Sequence, residues 1–286
     1  ITLLSKNGGS QRGGAIYVQE NTFADNGACW YNERLSNSSV FNNSVFDSNA
    51  ASANGGVFVS GSHLQLNNCA LTNNTAFTGS IVYSGAALTL NDCAMTTNRA
   101  TSKGGLYVFI LNDVLLNNLT AMENIAGGHG AVVVTDGTDV FAVQSTFHYN
   151  HACNFTYNSV ANGTSGGALW TGSGAFVLHN VTGHHNQASD DGGFADGGDK
   201  VSVTDSSLVY NTTVNQGGAP KAYGAVSVVR SDISSNTAGN SGGAIEVSDS
   251  VSLTNSTLTC NRAASGAAIA TSSLLLVVDP PPPPGI

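Results

Sequence analysis

Apolar and polar residues alternate at a spacing of two along most of the chain, as in Leu64/Leu66, Val201/Val203, Val226/Val228 and Val251/Val253. Gly, Asn, Ser and Thr interrupt the alternation every few residues. Period two sends successive side chains to opposite faces of a strand, whereas a helix needs a period of about 3.6. The pattern therefore predicts very short strands joined by tight turns, two or three to a unit, and no helices.

The strands recur as a set. Asn26, Asn49, Asn74, Asn98, Asn124, Asn150, Asn186, Asn211, Asn236 and Asn261 follow one another at gaps of 23, 25, 24, 26, 26, 36, 25, 25 and 25. Three residues before each lies Phe23, Phe46, Leu71, Met95, Ala121, Phe147, Gly183, Leu208, Ile233 or Leu258, a mostly large and apolar column. Two residues after each lies alanine, except for Thr213. Between that alanine and the next apolar pair comes a Gly-Gly-apolar start, as in Gly55-Gly56-Val57-Phe58, Gly166-Gly167-Ala168-Leu169 and Gly242-Gly243-Ala244-Ile245.

A unit of about 25 residues is too short to close a core and has to stack on copies of itself. Coiling the chain so that each turn pairs in parallel with the next gives every strand hydrogen-bond partners above and below, about 4.8 Å away. The expected fold is a parallel β-helix, an all-β solenoid of ten to eleven coils. In it the ten asparagines form an internal ladder, each amide donating to one neighbour and accepting from the other, which removes the cost of burying it. The glycines supply turn conformations that a Cβ would strain.

Gly-Gly-Ala-Ile at Gly13 to Ile16 and Gly242 to Ile245, together with Phe-x-x-Asn at Phe23 to Asn26, Phe46 to Asn49 and Phe147 to Asn150, resembles the paired repeat of the chlamydial polymorphic membrane proteins. The resemblance covers roughly residues 13 to 270. It implies right-handed coiling and the adhesive passenger of an autotransporter, although a shared fold does not decide function. The chain departs from that family where five prolines, Pro280 to Pro284, stand in place of a membrane-barrel segment.

The organisation expected is one β-helix over 1–278, with an atypical N-terminal coil within 1–50, and a polyproline linker or tail over 279–286. Between Asn26 and Asn49 the Gly-Gly start is replaced by Cys29-Trp30-Tyr31-Asn32-Glu33-Arg34, which reads as a capping turn or a loop. The gap of 36 implies a loop insertion at 153–163, and Leu274 to Val278 supplies one last strand.

Only 9% of residues are charged, against about 25% in average proteins, so the surface relies on Ser, Thr, Asn or attached sugar. The net charge of -9 without a basic stripe argues against nucleic acid as a partner. No apolar run approaches the roughly 18 residues of a membrane span. The opening at Ile1, with no methionine or leader, reads as a mature or excised piece, and the setting expected is extracellular or at the cell surface. The partners expected are other copies of the chain, another surface protein or a glycan, and no cofactor is called for.

Candidate chemistry is sparse. Cys69 and Cys93 share a column on adjacent coils otherwise filled by Ser44, Ser145, Ser206, Ser231 and Ser256, so they are either a disulfide or two buried thiols. Of nine N-glycosylation sequons, Asn37, Asn154 and Asn162 fall in irregular segments, and Asn118, Asn180 and Asn255 share one column with outward parity. Asn211 is also a sequon but belongs to the ladder.

Asp190, Asp191, Asp196 and Asp199, with Lys200, form the densest acidic stretch. It is a weak calcium candidate and reads mainly as a flexible solvated turn, because the matching turn one coil back, Thr171 to Gly174, has no carboxylate. His148 and His184 fall on adjacent coils, and Tyr149, His185 and Tyr210 make a second column beside them, preceded by Glu123. Exposed in register, these rings either merely cover the turn, or contact a glycan or a neighbouring subunit with Trp170 extending the surface, or hold a metal between the two histidines. No residue is assigned a catalytic role. The reading is a non-catalytic structural or adhesive module; the alternative, a polysaccharide lyase or hydrolase, rests on fold analogy and would require acids and a base grouped in one groove.

Overall fold

The computed structural model describes residues 38–109, 113–153 and 164–273, together with the backbone of strands Val18–Gln19, Thr22–Phe23, Trp30–Asn32 and Leu275–Val278. Every strand inside a sheet pairs in parallel with its counterparts one coil before and one coil after, and consecutive strands fall in four different sheets. One coil runs through Leu64–Asn67, Ala70–Thr72, Thr75–Ala76 and Val82–Ser84 before the next begins at Leu88–Asn91. We call these the pair, anchor, alanine and glycine sheets after the column each carries.

The protein is thus a parallel β-helix, with no helix among the described residues. Among the described residues two sheets hold nine strands and two hold ten, slightly fewer turns than the ten to eleven expected. The shortfall is at the C-terminal end, where the anchor and alanine sheets continue past Thr254 only as isolated bridges, Asp232 to Thr257 and Thr237 to Arg262. Trp30–Asn32 pairs with Phe58–Ser60 as a regular strand of the glycine sheet, so that segment continues the coil where the sequence suggested a cap or loop.

Four strands per coil, rather than two or three, follow from two tight corners of two residues each, of which one residue has positive φ. At the first corner that residue is Asn43, Asn68, Asp92, Asn118, Gln144, Asn180, Asp205, Arg230 or Asn255, all with φ between 47° and 53°. Asn and Asp tolerate this left-handed conformation better than other residues with a side chain. At the second corner it immediately precedes each ladder asparagine and is far less restricted in type: Ser48, Asn73, Thr97, Glu123, Tyr149, His185, Tyr210, Ser235 and Cys260 all have positive φ.

The ladder itself holds this second corner. Asn74 donates from Nδ2 to Asn98 Oδ1 at 2.9 Å, and its backbone N–H donates to the same oxygen at 3.0 Å. Its other amide hydrogen goes to the Phe46 carbonyl at 3.0 Å. The pattern repeats from Asn49 to Asn261 with Nδ2 to Oδ1 distances of 2.8 to 3.2 Å. From Asn74 to Asn236 each buried amide is therefore saturated and pins the corner beside it, while Asn49 Oδ1, at the described end of the ladder, accepts no bond. Asn26 lies outside the described residues, but the first coil is out of the expected register: Val18 pairs with Phe46 and Phe23 with Ala51, so Phe23 falls in the alanine column and not in the anchor column, five residues from the alignment that a rung at Asn26 requires.

Inside, the anchor column (Phe46, Leu71, Met95, Phe147, Leu208, Ile233) packs with Phe58, Ile81, Leu64, Leu66, Leu88 and Leu90 into one continuous core. Each fully buried side chain of this size contributes about 1.5–3 kcal/mol. Gly183 is the exception in the column. The ring of Phe194 fills its place and meets Phe147 edge-on at 5.7 Å.

Candidate functional site

The second corner carries the largest side chains exposed in register. His148 and Thr146 sit on an anchor-sheet strand paired with Thr182–His184, so His148 lies directly over His184, their ring centroids 4.9 Å apart. One residue on, the chain turns left-handed at Tyr149, His185 and Tyr210, with φ of 55°, 55° and 57°. Those three rings stack along the coil axis, Tyr149 on His185 at 5.0 Å and 21°, His185 on Tyr210 at 5.2 Å and 17°. Tyr149 and Tyr210 are 45% and 55% exposed. His184 Nδ1 and His185 Nδ1 are 3.0 Å apart and share a hydrogen bond. Partial burial, then the neighbouring imidazoles of His148 and His185, hold His184 below the usual imidazole range. Among the described residues no group of three or more His, Cys, Asp or Glu converges to hold a metal.

Trp170 does not join these rings. It is the central residue of a glycine-sheet strand, half-buried, and stacks on His129 at 4.6 Å and 22°.

Trp170 belongs to a second surface. The central positions of successive glycine-sheet strands are Val59, Tyr83, Tyr107, Val134, Trp170, Asp196, Lys221 and Glu246, in unbroken register. They point away from the core by alternation, yet Tyr107, Val134, Asp196 and Lys221 are buried. The turn leading into each strand folds against them and makes a crease that runs along the coil axis. Across it, Lys103 Nζ donates to Tyr107 Oη and to Asp136 Oδ1, both at 3.0 Å. Further along, Lys221 Nζ donates to Asp191 Oδ2, while the Gln216 N–H donates to Asp191 Oδ1 at 3.0 Å.

This cluster overturns the solvated-turn reading of the acidic stretch. Asp191, Asp196 and Lys221 are 8%, 5% and 7% exposed. Burial pushes the Asp196 carboxyl up to about 7, with the Lys221 charge working against the rise and Asp191 adding to it. Burial also raises Glu246. For Lys221 burial disfavours the ammonium, but the Asp191 hydrogen bond and the nearby carboxylates outweigh it and hold the pKa above the usual lysine value. Asp196 Oδ1 and Glu246 Oε2 are sealed from solvent without a hydrogen-bond partner.

The calcium candidate fails for the same reasons. Asp191 is committed to Lys221, Asp190 Oδ1 accepts from Asn215 Nδ2 at 3.2 Å, and Asp199 lies exposed outside the crease. Sequence reasoning missed Lys221, Glu246, Tyr107 and His129 because it searched one coil back. The signal was present going forward: Asp196, Lys221 and Glu246 each stand three residues after the second glycine of a Gly-Gly pair.

Of the sequons, Asn118, Asn180 and Asn255 occupy the first corner and are all exposed. Asn37, Asn154 and Asn162 lie outside the described residues, as do Pro280 to Pro284. Cys69 and Cys93 are stacked on adjacent coils as free, buried thiols, not as a disulfide. Each donates to backbone carbonyls, Cys69 to Asn67 at 3.3 Å and Cys93 to Asn91 at 3.2 Å. The thiol of Cys93 favours ionisation of Cys69, bringing it down to about 7, while that same contact and burial push Cys93 up. The serines of the column make a second ladder, with the Val181, Ser206 and Ser231 N–H groups donating to Ser206, Ser231 and Ser256 Oγ at 3.0, 3.1 and 3.2 Å.

Among the described residues no helix is long and apolar enough to cross a membrane, which leaves membrane β-barrels unaddressed. Compared with known proteins, the chain matches no family model, no curated protein and no solved structure.

Proposed function

We propose that this protein is a non-catalytic extracellular module, a rigid β-helical rod that displays surface for adhesion or for assembly with copies of itself. The observation that carries the reading is the exposed stack of Tyr149, His185 and Tyr210. The same corner is turned by Ser48, Asn73 and Ser235 on other coils, so folding does not demand aromatic rings there. Three large rings held flat, in register and in water are a preorganised contact surface, since their ordering costs little further entropy on binding.

The charge-poor surface supports the same reading, as does the resemblance of the repeats to adhesive passengers. In a glycosylating cell, sugars on Asn118, Asn180 and Asn255 would form a row along the first corner, in line with the coil axis.

The test is a Tyr149→Ser, His185→Ser, Tyr210→Ser variant assayed for adherence to host cells and for self-association by sedimentation velocity. Loss of either activity with an unchanged melting temperature is the expected result. Wild-type adherence and wild-type self-association in the variant would overturn the assignment of the contact surface.

A further inference from the structure

Among the described residues Lys221 is the one buried lysine, and its Nζ donates to Oδ2 of the buried Asp191. Both groups are held in place. Lys221 lies in a strand paired on either side, with Asp196 before it and Glu246 after it in the same column, each about 4.8 Å away along the backbone stack. Asp191 is fixed through its neighbours: the Asp190 carbonyl accepts from the Asn215 N–H at 2.8 Å, and the Gly192 N–H donates to the Gln216 carbonyl at 2.8 Å. The ring of Tyr223 covers Nζ, its centroid 5.1 Å away. An amine and a carboxyl on adjacent coils are thus kept in contact and out of water.

We propose that this pair condenses into an intramolecular amide between Lys221 Nζ and Asp191 Cγ, a covalent cross-link that ties one coil to the next. Lys221 rests as the ammonium, so the step begins with one proton passing along the existing hydrogen bond to Asp191 Oδ2. Burial disfavours two facing charges and so narrows the gap to the neutral amine and acid. Nζ then attacks Cγ, while the Gln216 N–H, 3.0 Å from Oδ1, stabilises the charge that develops on that oxygen. Oδ2 takes a second proton and leaves as water, and the nitrogen gives up one proton in exchange. One C–N bond forms, one C–O bond breaks, and nothing is oxidised or reduced.

The carboxyl that exchanges those two protons is Asp196, whose Oδ1 is sealed from solvent without a partner. Burial keeps it protonated up to about pH 7, against the pull of Lys221 and Ser165 and with the push of Asp191 and Asp190. It ends the step as it began. Reactants fixed in contact react as if at very high concentration, and the buried site does not return the expelled water. Lys103 and Asp136 make the comparable contact at 3.0 Å, but their side chains are 33% and 41% exposed, so hydration keeps both charged and no condensation is expected there. The cross-link joins residues 30 apart and holds two coils together under load, whether or not the rod is adhesive.

The test is mass spectrometry of the full chain, purified folded and then denatured. The expected mass is one water below that of the sequence, and trypsin should release residues 104–200 joined to residues 201–230, with no cleavage after Lys221. Lys221→Arg keeps a cation but no nucleophilic amine, and should show its full sequence mass. Asp191→Asn should give the same joined fragments with loss of ammonia in place of water, which keeps the test decisive should Lys221→Arg not fold. In chain collected unfolded and then refolded, the mass falls with time, and in Asp196→Asn it should fall roughly a hundredfold more slowly. A wild-type chain of full sequence mass with the two fragments separate, a water lost within residues 104–200 alone as a succinimide at Asp191-Gly192, or a link at Lys103 instead would overturn the proposal. Mass loss at the wild-type rate in Asp196→Asn would overturn the part given to that carboxyl.

Discussion

Asn150 Nδ2 donates to Asn186 Oδ1 at 2.9 Å across 36 residues of chain, the same bond that joins Asn98 to Asn124 across 26. The extra residues fall between Cys153 and Thr164 in the sequence, and the Thr164 hydroxyl donates to the Ala152 carbonyl at 2.8 Å. The ladder is set by strand pairing, His151 with Gln187 and Ala152 with Ala188, and not by the length of chain between rungs.

Removing one interior rung should be expensive. Asn124 accepts from the backbone and side-chain amides of Asn98 at 3.1 and 2.9 Å, and donates to Asn150 Oδ1 and the Met95 carbonyl at 3.0 and 2.9 Å. Asn124→Ala strands several buried groups at once, each costing about 1–3 kcal/mol, and a loss of roughly 3–5 kcal/mol is expected in urea unfolding. Asn261→Ala, at the half-buried end of the ladder, should cost about 1 kcal/mol. Equal losses at the two sites would mean that the ladder does not stabilise the coil.

Gly183→Ala should be destabilising although alanine is found in the same column at Ala121. A Cβ at Gly183 would stand 2.6 Å from Cε2 of Phe194 and 2.9 Å from Cδ2 of Leu208, both within the packed core. Overpacking of this kind costs about 1–3 kcal/mol. Phe194→Leu in the Gly183→Ala background should recover part of the loss, and thermal melts of the two variants decide the point. A melting temperature for Gly183→Ala at or above wild type would count against the packing account.

Asp196 makes stability depend on pH in a defined direction. Its carboxyl ionises at about 7 when folded and at about 3.9 when unfolded. Between those values the folded state holds a proton that the unfolded state has released, so stability falls as pH rises from about 4 to about 7 and is level above. Asp196→Asn removes the titration. The variant should gain on the order of 4 kcal/mol relative to wild type at pH 8, with no such gain at pH 4, as read by urea unfolding at both pH values. An identical difference at both would show that Asp196 does not titrate in that interval.

Much of the fold was legible because it repeats. The period of about 25, the asparagine column and the alternation of Val201/Val203 or Val226/Val228 are statements about single residues, and stacking identical units turns each into a file of contacts. The corners were harder to read. A strand of two residues, Thr75–Ala76, offers no alternation, and a corner of two residues leaves no turn motif beyond a loose preference for Asn and Asp at the first of the two corners. That is why four strands per coil were read as two or three.

The exposed rings at Tyr149, His185 and Tyr210 could be placed from parity alone, since parity within a coil and register between coils fix a direction. The crease could not. Asp191 and Lys221 are 30 residues apart and meet because a turn folds over the outer face of the next coils, a contact between elements of different phase. The sequence alone determined the solenoid, its ladder and its period, because those depend on each residue's relation to its own repeat. Only the tertiary structure decided which outward residues are buried, how Phe194 takes the place of a side chain at Gly183, and that Asp196 and Glu246 keep unpaired oxygens, because burial depends on what packs across from a residue and not on its position in the repeat.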